Sequence, residues 1–228
     1  MRRTIVLLSV VGMMVPLAAH ALNEHVWLMV NGGAGTYDMS ELNAEITAFN
    51  TANPGFTFPL VRNGASWGLA AGVDVKGGWS YGLGLDRLHA VTKASDASGS
   101  LEYQLTANAW HAFGEYAFKA MGRSSIVLGA GVGLIAENGN LIDSQPGYEP
   151  AKYKLTGSSP MYEGHTGASW WVTSRFGLVA TGGYRYARIK ALKLEGISMI
   201  GANGEALAAD YSGPYARLGF KLAGNMDN

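Results

Sequence analysis

Chemistry in this chain would fall first to its histidines and to carboxylates and guanidiniums spaced evenly along alternating stretches. His25, His89, His111 and His165 are scattered, and no two of them stand at the spacing of metal ligands. A His–Ser hydrolase needs the two side chains within hydrogen-bond reach. The nearest pair on one strand face is His165 and Ser169, roughly 13 Å apart at 3.3 Å per residue. No catalytic residue, metal site or cofactor is expected. The run Gly129–Gly133 has the composition of a phosphate-binding loop. No helix start follows it, however, and its alternation continues, so it is expected to be strand.

The charged residues are more informative. Asp74, Asp86, Glu102, Glu115, Glu137, Arg175, Arg185 and Arg217, with Lys76 and Lys221, fall on the polar or small-residue face of alternating segments. If those faces enclose an interior, its charges must be partnered, which implies an ionic network filling it. The alternative is a polar path for ions or small solutes. A third candidate is apolar. Met39, Leu42, Ile46 and Phe49 recur at helical spacing behind Asp38-Met-Ser-Glu41, which has the form of a capping box. A short helix from Met39 to about Asn50 is expected, packed over a mouth or lining an apolar pocket.

The elements that would position these groups are strands. Trp67, Leu69, Ala71, Val73 and Val75 alternate with Gly68, Ala70, Gly72, Asp74 and Lys76, and after Gly77-Gly78 the pattern restarts with Trp79, Tyr81, Leu83 and Leu85. A period of two marks a strand with unlike faces, and Gly-Gly supplies the positive φ of a tight hairpin. Further strands are expected at Val26–Tyr37, Glu102–Lys119, Ile126–Glu137, His165–Thr173, Leu178–Lys190 and Tyr211–Leu222, eight in all. In Glu102–Lys119 the apolar phase shifts near Trp110–Phe113, which suggests a one-residue β-bulge.

Composition sets limits. The 17 basic and 17 acidic residues leave no basic field for nucleic acid. Cysteine is absent, so there is no disulfide framework. The 32 glycines are about double an average share and are spread through the alternating segments. Met1–Ala21 has a charged start (Arg2, Arg3), an apolar run and the small-x-small site Ala19-His20-Ala21, the form of a secretory signal cleaved from a mature domain of residues 22–228. The mature chain then has no apolar run of transmembrane-helix length.

The connections decide the fold class. Short ones, at Lys76–Gly78, Met121–Ser124 and Ser174–Gly177, alternate with long ones at 38–66, 88–100, 138–162 and 191–210. A soluble sandwich has no reason to place every short turn at one end, whereas an outer-membrane barrel does. Aromatics gather towards the ends, with Trp79, Phe118, Phe176 and Phe220 by the short turns and Trp67 and Tyr103 by the long loops. The expectation is all-β, an eight-stranded antiparallel up-and-down transmembrane barrel in the bacterial outer membrane, with the helix in its first outer loop. In this arrangement and in its alternating last strand, Tyr211–Leu222, the chain resembles the small eight-stranded outer-membrane barrels, the group of the OmpA transmembrane domain, OmpX and OmpW. It differs in that Ala223–Asn228 follow the last strand. The resemblance implies a structural or surface-interaction role, with a conduit for small or apolar molecules, or a lipid A-modifying enzyme, as the alternatives. It also implies outer-membrane lipid and lipopolysaccharide as surroundings, an extracellular partner reached through the loops, and a monomer.

Overall fold

The computed structural model describes residues 25–201 and 203–224. The expected secretory signal lies outside the described residues. Eight long strands, β1 (His25–Thr36), β2 (Asn63–Val75), β3 (Trp79–Asp96), β4 (Gly99–Lys119), β5 (Ser124–Glu137), β6 (Ala151–Trp171), β7 (Phe176–Tyr186) and β8 (Gly213–Gly224), run antiparallel. Each pairs with its neighbours in the chain, and β8 closes the ring on β1 from Val26–Gly224 to Gly35–Tyr215. Closure leaves no edge in the wall, which is what a structure in lipid requires.

The short connections lie together at one end. At the first of them Gly77 and Gly78 both take φ 88°, the left-handed region that glycine reaches without a Cβ clash. Above this end the outer face is apolar all round: Leu28, Val30, Leu69, Leu83, Leu128, Val132, Leu218 and Phe220 are exposed. Along β7 the outward residues run from Phe176 to Tyr186. That is about 33 Å of strand at 3.3 Å per residue, or about 25 Å of height at a tilt near 40°, the height of a lipid-facing band. Aromatics edge it. Trp79, Tyr116 and Phe118 pack edge-on in a row, and Phe176 stacks on Phe220 at 5.8 Å, by the short turns. Trp67, Trp110, Tyr162, Tyr184 and Tyr186 stand exposed at the other rim.

Above that rim the pattern inverts. In β3 the outward residues Trp79, Tyr81 and Leu83 give way to Arg87 and His89, while the inward side passes from Ser80 and Asp86 to the buried Leu88, Ala90 and Ala94. β4 does the same in reverse order along the chain: Leu105, Ala107 and Ala109 face inward above, and Trp110, Ala112 and Phe118 face outward below. This inversion accounts for the phase shift near Trp110 that suggested a bulge. There is no bulge: the β3–β4 register runs unbroken from Trp79–Tyr116 to Asp96–Gly99. Apolar side chains leave water on either side of the wall, towards lipid below the rim and towards a core above it.

Two expected loops are strand for the same reason. Residues 88–100 continue β3 and β4 as a hairpin, and much of 138–162 forms the strand Asn140–Ser144 and the upper half of β6. These extensions hold a second storey above the band, and its core caps the mouth. Helix α1 (Ser40–Ala52) buries Leu42 and Ile46, with Phe49 partly buried, against Tyr37, Phe58, Leu88, Leu105, Ile135, Met161, Ile189 and Tyr211. The expected Asp38 cap does not form. The N-cap is Met39, buried and left-handed at φ 36°, with no side-chain hydrogen bond, because Asp38 and Met39 donate their N–H groups to the carbonyls of Ser212 and Asp210. Tyr103, expected in the outer girdle, packs edge-on to Phe58 within this core.

Candidate functional site

Five strands that are not all neighbours each bring one side chain into a cluster in the lumen. Asp86 on β3 and Glu163 on β6 face Arg185 on β7 and Arg217 on β8, with His111 on β4 beside them, and all five are buried. Asp86 Oδ2 accepts from Arg217 Nη2 at 2.8 Å and from Arg185 Nη2 at 3.1 Å. Glu163 Oε2 lies 3.4 Å from Arg185 Nη2 and 3.6 Å from Arg217 Nη2. The Tyr215 ring lies under both guanidiniums, 4.2 Å from Arg217 and 5.1 Å from Arg185. His111 stands 3.5 Å from Glu163 and 3.9 Å from Asp86. The inward glycines make room for these groups, since a Cβ at Gly84 would meet the His111 ring and one at Gly131 would crowd Glu163.

Two further ion pairs lie nearer the short turns. His165 and Glu115 meet at 2.9 Å. Lys221 reaches Asp74 at 3.3 Å and lies 4.1 Å over the Trp27 ring, while Ser80 donates to Asp74 at 2.5 Å. Trp27 and Phe113, 6.0 Å apart, form an apolar floor.

Not every expected residue joins. Glu102 lies on the outer face of the β3–β4 extension, 3.9 Å from Lys93. Arg175 is exposed in the turn between β6 and β7, away from the lumen. Lys76, in the first short turn, is exposed too. Glu137 is buried but a storey higher, where Oε1 accepts from the Thr106 N–H at 2.9 Å and Oε2 from the Tyr211 hydroxyl at 2.5 Å. Burial raises its pKa from 4.5 to about 7, against the opposing pull of those bonds. Burial likewise pushes Tyr211 well above its ordinary value. Met39, Leu42 and Ile46 are buried in the roof core, with Phe49 partly buried against it.

Sequence reasoning missed Glu163 and placed His111 in the supposed bulge. The signal was available: Met161, Glu163, His165 and Gly167 share one parity, as do Ala109, His111, Phe113 and Glu115. It also missed the ties that hold the roof. Asn43 and Asn50, two helical turns apart, each make paired bonds of 2.8–2.9 Å to the backbone of Val61 and Phe58. Glu41 pairs with Arg188 and accepts from the Ala208 N–H at 3.1 Å.

Asp86, His111 and Glu163 offer ligand atoms within 4.8 Å of one another, a spacing that could hold a metal ion. Two guanidiniums already bind those carboxylates, so a metal cation would enter a site whose charge is met. A His–hydroxyl pair also exists that spacing along the chain had hidden: His89 Nδ1 and Thr106 Oγ1, in register across β3 and β4, meet at 3.0 Å. Among the described residues no third side chain is recorded on either group to orient it as a catalytic base.

The ring, the apolar band and the one-sided short turns decide the class of molecule. The chain is an eight-stranded transmembrane β-barrel. Closed barrels with such a band belong to outer membranes. No family model matches the chain, and no curated protein matches it. Solved structures similar to the barrel include Neisserial surface protein A, at 15% identity with a TM-score of 0.45 over 88% of this chain and 96% of that one. Another is Ail, the attachment invasion locus protein of Yersinia pestis, solved in complex with the heparin analogue sucrose octasulfate, at 11%, 0.47, 89% and 99%. A third is a major outer membrane protein from Thermus thermophilus, at 14%, 0.43, 87% and 99%.

Proposed function

We propose that this barrel is a membrane-anchored surface protein whose working part is the storey above the lipid, and that the lumen neither conducts nor catalyses. The observation that carries this is the state of the lumen. Around Asp86, His111, Glu163 and Arg217 the lumen leaves only about 30 Å³ of free space, room for a few waters at most. Above it the apolar core under α1 packs across the mouth. A conduit needs a continuous path, and a lipid-modifying enzyme needs an oriented nucleophile beside a base; the packed charges and the packed roof favour the structural reading over both. The surroundings are outer-membrane lipid and lipopolysaccharide, the partner is extracellular, and the barrel acts as a monomer.

Planar-bilayer recording of the refolded barrel tests this, with the mobility shift on boiling as proof of folding. The expected result is a heat-modifiable band and no unitary conductance. Reproducible conductance steps that change with Arg185→Ala would overturn the closed-lumen reading, and lipid A acyl chains altered in cells carrying the protein would overturn its non-catalytic part.

A further inference from the structure

The ladder between β6 and β7 ends at Tyr162–Tyr186. Pairing on that side resumes at Thr156–Lys193 and Leu155–Leu194. The chain in between is anchored elsewhere. Arg188 and Ile189 pair with Asp210 and Ala209, and the Leu192 N–H donates to Leu207. Lys190 and Ala191 stand between these anchors with no ladder pair among the described residues. An open cleft of about 680 Å³ runs along this seam, and Glu137, Lys190 and Lys193 all line it.

Glu137 meets the seam across a glycine. It pairs in register with Gly157 between β5 and β6. A Cβ at Gly157 would lie 2.5 Å from Ile189 Cγ2 and 3.0 Å from the Ala191 carbonyl oxygen, so the chain on either side of Lys190 lies against that pair. Two strand spacings then separate the backbone of Glu137 from that of Lys190, about 10 Å. A lysine and a glutamate extended towards each other bridge such a gap.

The charges suit that bridge. Glu137 is buried, and the groups that hold it, the Thr106 N–H and the Tyr211 hydroxyl, are neutral. The titratable groups around it are Tyr211, Tyr37 edge-on to Tyr211 at 5.2 Å, His89 at 3.0 Å from the Thr106 hydroxyl, and the two lysines of the cleft. Burial pushes both tyrosines up, so they stay neutral donors near pH 7. Lys190 and Lys193 are exposed, and among the described residues neither has an ion-pair partner. Lys193 is held in register with Thr156, whereas Lys190 lies on the unladdered stretch and is free to turn. An ionised carboxylate in an apolar core demands a counter-charge, and Lys190 is placed to supply it.

We propose that the cleft is a pH-operated latch. When Glu137 is ionised, Lys190 folds in from the mouth and pairs with it, clamping the last outer loop to β5. When Glu137 takes up a proton, Lys190 swings back to solvent and the cleft stands open. The outer surface of the upper storey thereby has two states, set by the pH outside the cell.

The test is acetylation of lysines in the refolded full chain in micelles, read residue by residue by mass spectrometry at about pH 5.5, 7 and 8.5, a range that spans the titration of a buried carboxyl. The rate at Lys190 is divided by that at Lys152, an exposed lysine of the same molecule, which removes the intrinsic pH dependence of an amine. In wild type this ratio is expected to fall about tenfold from the lowest pH to the highest, the factor given by one unit of pKa shift at Lys190. In Glu137→Gln it should stay flat, and in Lys193→Ala it should fall as in wild type. A flat ratio in wild type, an equal fall in Glu137→Gln, or loss of the fall in Lys193→Ala overturns the assignment. Retention of the mobility shift on boiling shows that each variant is folded. Lys190→Ala tests the pairing without touching the buried site: above neutral pH its urea midpoint should drop further than that of wild type, because the carboxylate then lacks its counter-charge. Identical midpoints across the range would overturn the latch independently.

Discussion

Glu137→Gln probes the storey above the lipid through its one deeply buried acid. The carboxyl is surrounded by the roof core and holds the Thr106 N–H and the Tyr211 hydroxyl. Burial favours its neutral form in the folded state, with a pKa of about 7 against 4.5 when exposed. A folded-state pKa above the unfolded value fixes the sign. The contribution to stability is fully present below about pH 4.5 and is lost as pH rises through about 7. At 1.36 kcal/mol per unit that gap is worth about 3 kcal/mol, as an order of magnitude. Tyr211, itself pushed up by burial, stays a neutral donor throughout this window. The assay is urea unfolding of the refolded barrel in micelles, followed by tryptophan fluorescence at pH 4.5, 6 and 8, chosen as about the ends and middle of that range. Other titrating groups act equally in wild type and variant, so the difference between the two isolates Glu137. Wild type should lose about 3 kcal/mol more than Glu137→Gln across the range. Parallel pH profiles for the two proteins would refute the reasoning, since the carboxyl would then be as well solvated folded as unfolded.

Two other substitutions separate structural roles. Arg185→Ala removes one of two cations from a buried set and leaves Glu163 with the 3.6 Å contact to Arg217 and the His111 ring at 3.5 Å; unfolding free energy should fall by about 3–5 kcal/mol, and an unchanged urea midpoint would show the network to be solvated. Asp38→Ala should cost less than about 0.5 kcal/mol, because no side-chain cap exists to lose, whereas a loss of ~1 kcal/mol or more in the same assay would restore the capping box.

Much of the architecture was legible because a strand in a two-sided environment writes its facing into every second residue. β1, β2, β5, β7 and β8 show this, with bounds within a few residues of those expected and the same inward sets, such as Tyr215, Arg217, Gly219 and Lys221. The errors of facing along the long strands have one physical source. A single apolar face per strand is the wrong rule here, because above the rim the core lies inside and below it the lipid lies outside. Ala90 and Ala94, small and inward, therefore looked like loop, and Trp110 looked like a slip of register. The charge cluster was legible only as membership. Which charges meet across the lumen depends on how eight strands close, and no local pattern records that Asp86 faces Arg217, 131 residues further on.

The two packed layers of the lumen use different physics. Below the rim the charges of β3, β6, β7 and β8 brace the wall across its width, in a space where an unpaired ion would be costly. Above it, α1 is held by Asn43 and Asn50 on one side and by Glu41 on the other, so the roof is tied down rather than hinged at a single contact. The bonds of Glu41, Asn43 and Asn50 run to Arg188, Ala208, Val61 and Phe58 rather than to the braced charges. The inward charges and the inward apolar side chains thus both hold the barrel together, which is why the proposed function is sought on the outer surface of the upper storey.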